Sequence, residues 1–116
     1  MGLDATLYAI DEELEPKALS EDERDVFCIA TWRKNYELNH WMYRLYQKKT
    51  GIYGDKYDVF DCEWLELTHD DLRKLKDDII CSRVRIKEWI QKDYAFVDTA
   101  MAKSRKGKRI YYLMNG

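Results

Sequence analysis

Leu3, Ala5, Leu7 and Ala9 alternate with Asp4, Thr6 and Tyr8, the two-residue period of a strand with one buried face. The acidic stretch that follows, DEELEPKALSEDERD, lacks that period. It predicts an exposed excursion with Pro16 as its one rigid point, and Ser20 with Glu23 stands ready to cap a short helix. VFCIAT is a short apolar run, and periodicity leaves open whether it is a strand or the approach to the next helix. Thr31 is placed to cap that helix, and Gly51, after Lys48 and Lys49, to stop it.

GIYGDKYD reads as a turn-rich connection into VFDCEWLEL, where Phe60, Cys62 and Trp64 alternate with Asp61 and Glu63 as one face of a strand. Thr68 and Asp71 have the spacing of a capping box ahead of a helical pattern in which Leu72, Leu75, Ile79, Ser82, Ile86 and Trp89 recur at three- and four-residue steps. Ile80 and Val84 fall outside that stripe, which predicts either a break or a second buried face there. DYAFVDTAMAKSRK predicts a shorter third helix ending at Gly107, and RIYYLM a last strand. The pattern as a whole predicts one α+β domain over residues 1–116, with a sheet of three or four strands packed on two main helices and a lesser third.

The segment WRKNYELNHWMYRLYQK divides when its residues are set at 100° intervals. Leu38, Trp41, Met42, Leu45 and Tyr46 share one side and predict a core face. Arg33, Glu37, His40, Arg44 and Gln47 lie opposite in a strip about 80° wide, with Tyr36 and Tyr43 along a border. The strip reads in two ways. It is a solvated helix face with Arg33 and Glu37 as an i,i+4 pair, or a binding face, since arginine forks grip carboxylates and phosphates and tyrosines supply rigid contact area. A general base at His40 is a third use of the same residues, with only Glu37 and Arg44 placed by sequence to touch it.

Composition limits these uses. With 46% hydrophobic residues and one proline in 116 the chain has material for a core. No apolar run reaches the roughly 18 residues of a membrane span, and the start has no basic signal-peptide flank; no membrane association is expected, and Gly2 with Thr6 matches a myristoylation motif only formally. Cys28, Cys62 and Cys81 are odd in number and widely spaced, which predicts reduced, mostly buried thiols. His69, Asp70 and Asp71 have metal-ligand chemistry, but their place at a helix start makes capping the simpler role, and neither a metal nor a cofactor is expected. Phosphate-binding, dinucleotide, zinc-protease and nucleophile-elbow motifs are all missing, which weakens the case for an enzyme.

Charge is unevenly spread. Residues 1–25 carry nine acids against Lys17 and Arg24, whereas KSRKGKR at 103–109 carries five bases and no acid. The net charge of −2 argues against a dedicated duplex-DNA binder, while Lys103, Arg105 and Lys106 keep a local basic patch in view.

The start MGLDATLY, together with WRKNYELNHWM, LTHDDLRKL and the tyrosine-rich end RIYYL, resembles a group of small, uncharacterised bacteriophage proteins. Those begin with MGLD and a strand, carry a YWRK-like segment with a histidine and a tryptophan, and continue into a threonine- or serine-capped helix. In that pattern the histidine stands two residues before the tryptophan; here Asn39 holds that place before Trp41, and His40 is displaced by one. The resemblance implies an accessory protein that acts in the bacterial cytoplasm by binding and modulating a host protein, in host takeover or counter-defence. The alternative is a small nucleic-acid-binding or nucleotide-processing protein that uses the 32–48 segment and the basic 103–109 cluster.

Overall fold

β1 (Asp4–Ile10) forms over the alternating segment, and Ala5, Leu7 and Ala9 point into the main core. The structure is a computed structural model and describes residues 4–53, 60–81, 84 and 95–115. The expectations for Leu3, for most of the turn-rich connection and for Ser82, Ile86 and Trp89 fall outside the described residues.

β1 is flanked on both sides. It pairs antiparallel with β2 (Cys28–Arg33) and with β4 (Arg109–Asn115), and β4 in turn pairs with β3 (Trp64–Leu67), so the sheet order is β2-β1-β4-β3. The last strand is therefore interior. Three helices, α2 (Tyr36–Thr50), α3 (His69–Ile80) and α4 (Ala95–Arg105), pack their apolar residues on one face of this sheet, around Leu7, Leu65, Leu67, Ile110, Tyr112 and Met114. The fold class is α+β, as the pattern predicts.

The other face carries a smaller cluster of Tyr8, Ile10 and Tyr111, packed by Leu14, Leu19, Phe27, Trp64 and Leu113. The acidic excursion supplies two of these residues, Leu14 and Leu19, and Pro16 within it is buried, so it is a cover as well as a solvated loop. Its short helix, α1 (Glu21–Asp25), starts at a reciprocal cap between Ser20 and Glu23. A Lys108–Asp11 ion pair joins the excursion to the chain just ahead of β4.

Three expectations need correction. Cys28 to Thr31 of VFCIAT lie in a strand, which decides what periodicity left open, and β2 runs on through Trp32 to Arg33, so Thr31 is not a helix cap and Arg33 is not helical. Pairing with β1 as far as Asp4↔Arg33 holds this stretch extended; the chain then turns at Lys34 (φ 57), and Asn35 caps α2 by accepting the Leu38 N–H at 3.2 Å. Gly51 does stop α2, in the left-handed conformation (φ 72) open to glycine without a Cβ penalty.

Phe60, Cys62 and Trp64 do not share a face. Cys62 has φ 60 in a turn ahead of β3, which breaks the period of two; Phe60 enters the helix-side core and Trp64 the opposite cluster. The cysteines are exposed, contrary to expectation: Cys28 lies on an outer strand, Cys62 in that turn, and Cys81 at the end of α3.

Candidate functional site

α2 buries Leu38, Asn39, Met42, Tyr43 and Tyr46. This face is rotated by roughly 70° from the one that apolar residues alone indicate. Asn39 and Tyr43 account for the difference. Asn39 is fully buried and its Oδ1 accepts the Tyr112 hydroxyl at 2.7 Å, while Tyr43 packs on Phe60 with ring centroids 5.8 Å apart. Trp41 and Leu45 are consequently displaced to the edge of the core, half-buried beside α3.

α3 is set against α2 by polar contacts at two levels. Thr68 caps α3, and its own N–H is accepted by Asp71 Oδ2 at 2.9 Å, completing the box legible in the sequence. Lys49, near the end of α2, reaches the same Asp71 oxygen and the Glu66 carbonyl. Partial burial pushes the Asp71 carboxyl up, but the hydrogen bonds from Lys49 and Thr68 and the Lys49 charge outweigh it, so Asp71 titrates below its ordinary value. Further along, Asp78 accepts the Trp41 indole N–H at 2.7 Å and Lys74 Nζ at 3.0 Å.

Between the two helices lies a cleft of about 380 Å³. His40, Arg44 and Lys48 line it from α2 at one-turn spacing, with Glu37 at their N-terminal end and Trp41, Leu45 and Val84 as its apolar part; Asp71, Lys74 and Asp78 line it from α3. The carboxylates of Asp71 and Asp78 are already engaged by Lys49 and by Lys74 and Trp41. Arg44, Lys48 and His40 make no hydrogen bond or ion pair among the described residues. The α2 wall therefore presents cationic and imidazole groups that are unpaired among the described residues, and the α3 wall carries charges that are already matched.

Of the residues singled out in the sequence, Glu37, His40 and Arg44 meet in the cleft. Arg33 stands apart at the end of β2, where its Nε faces Asp4 Oδ1 at 3.6 Å. Tyr36 opens α2 and is 56% exposed, but it does not line the cleft. Tyr43 is a core residue at 6% exposure, so its place on the binding strip is withdrawn. Lys103, Arg105 and Lys106 are exposed around the end of α4 and do not line the cleft.

Sequence reasoning missed Lys48, Asp71, Lys74 and Asp78 as lining residues. Lys48 continues the four-residue step from Arg44 and was within reach of that logic; the α3 residues have no local signal, because only the pairing of two helices brings them there.

The exposed thiols add no nucleophile to this site. Partial burial, and then Asp25 beside Cys28 and Asp61 beside Cys62, push both thiols above their ordinary values, which keeps them protonated near neutrality. The cleft brings together a guanidinium fork, an ammonium, an imidazole and an indole edge beside apolar Leu45 and Val84. Neither a protein-family model, nor a curated protein, nor a solved structure matches this chain.

Proposed function

We propose that this protein works by binding another protein through the α2–α3 cleft, as a bacteriophage accessory protein that modulates a host protein in the bacterial cytoplasm. The carrying observation is the row of His40, Arg44 and Lys48, unpaired among the described residues, beside half-buried Trp41 and Leu45. Basic forks and aromatic edges around an apolar floor are the usual anchors of protein interfaces. The phage setting and the host partner rest on the sequence resemblance.

The rival is a nucleic-acid ligand, favoured by exposed Lys103, Arg105 and Lys106 around the end of α4. Against it, the wall opposite the basic row carries charges that are already matched, Asp71 with Lys49 and Asp78 with Lys74, and so adds no open cation for a phosphate backbone.

Capture from bacterial lysate, with and without nuclease, compares the wild type with Arg44→Glu/Lys48→Glu. Both positions are exposed on the helix surface, so the variant should fold with a stability change of about 0.5 kcal/mol per site. The expected result is nuclease-resistant capture by the wild type and none by the variant. Undiminished capture by a folded variant, or capture that disappears with nuclease and falls log-linearly with salt, would sink this reading.

A further inference from the structure

His40, Arg44 and Lys48 stand four residues apart, so their α-carbons climb one side of α2 in steps of about 6 Å and span about 12 Å. Trp41 and Leu45 follow one residue behind the first two and form a parallel apolar row. The cleft thus displays two adjacent stripes, one basic and one apolar. Across from them, Lys74 on Asp78 and Lys49 on Asp71 leave the α3 wall with its charges matched.

From this arrangement we infer that the ligand of the cleft is an amphipathic helix with a row of carboxylates, at four-residue spacing, running beside its apolar edge. The inference rests on the protein-binding reading and names its partner's chemistry. A helix carries two neighbouring stripes on one side, because residues four apart stack on one line and those one position on fall on the next. An extended strand does not, since its alternate side chains point to opposite faces and it can offer the cleft either its acidic row or its apolar one.

The size agrees. A cleft of about 380 Å³ is at the small end of ligand pockets, room for anchoring side chains from a segment that lies across it. Charge agrees as well. A helix with carboxylates along one edge sets them over His40, Arg44 and Lys48 and keeps its other edge against the matched α3 wall, whereas a phosphate chain brings negative charge to both walls.

The test uses the full chain and a synthetic stapled peptide of about 18 residues, five helical turns, with three Glu at four-residue spacing beside a Leu row. Fluorescence anisotropy compares it with the same peptide carrying Gln in place of Glu, and with a single-stranded DNA oligonucleotide. Wild-type protein should bind the Glu peptide at least about tenfold more tightly than the Gln peptide, and Arg44→Glu/Lys48→Glu, with an unchanged melting transition, should lose that preference. Equal affinity for the two peptides, or tighter binding of the oligonucleotide, would overturn the inference. If the Glu peptide fails while the variant still loses nuclease-resistant capture from lysate, the cleft remains an interface and the acidic helix is the wrong occupant. If neither the peptide nor the capture depends on Arg44 and Lys48, both readings fall together.

Discussion

The indole N–H of Trp41 donates to Asp78 Oδ2 at 2.7 Å, joining the middle of α2 to the last turn of α3. Asp78 is only 7% exposed, and its other oxygen takes Lys74. Trp41→Phe keeps an aromatic ring at the core edge but removes a donor from a buried carboxylate, which should lower stability by about 1–3 kcal/mol. Trp41→Ala also loses packing and should lower it further. Urea titration of the two variants measures the difference; a Phe variant with the wild-type midpoint would show that the bond contributes nothing.

Buried Asn39 and Tyr112 form another inter-element hydrogen bond, at 2.7 Å, and Asn39 Nδ2 has no partner in the protein among the described residues. Tyr112→Phe strands a buried carbonyl oxygen and should cost about 1–3 kcal/mol. Asn39→Leu/Tyr112→Phe replaces both polar groups, so the double variant should lose clearly less than the sum of the two single variants. A double-mutant cycle read by thermal melting checks this, and strict additivity would mean that the two groups are not coupled.

Asp71 gives the fold an acid-sensitive contact. A carboxyl whose folded pKa lies below its unfolded value adds stability that is complete above the unfolded value, near pH 4, and is lost as pH falls through the folded one. Asp71→Asn weakens the Thr68 cap and the Lys49 contact, and at pH 7 should cost about 1 kcal/mol. Below about pH 4 its stability should fall less steeply than that of the wild type. Urea melts across this range decide it; parallel pH profiles for the two proteins would refute the assignment.

Neighbouring residues on α2 should respond in opposite ways. Tyr43→Ala empties a site against Phe60 and should cost about 3–5 kcal/mol, whereas Arg44→Ala on the exposed side should stay within about 0.5 kcal/mol. Circular-dichroism melts of the pair test the orientation of the helix directly. A stable Tyr43→Ala protein would mean that α2 faces the sheet differently.

What the sequence determined by itself lies within a few residues of its signal. Ser20 with Glu23, Thr68 with Asp71, and Gly51 and Gly107 at helix ends can be read because the groups that satisfy one another are three or four positions apart. The inward set Ala5, Leu7 and Ala9 follows from the same kind of short period. The tertiary structure decided what depends on distant partners. β1 keeps Thr31 to Arg33 extended across more than twenty residues of chain, and the left-handed turn at Cys62 sends Phe60 and Trp64 to opposite faces. Tyr112, 73 positions from Asn39, makes a buried polar residue acceptable on the inner face of α2 and so rotates the helix. The cleft belongs to this second kind: His40 and Arg44 were legible as a strip, but Asp71, Lys74 and Asp78 join them only because α3 packs beside α2, and no local pattern encodes which helix will lie against which.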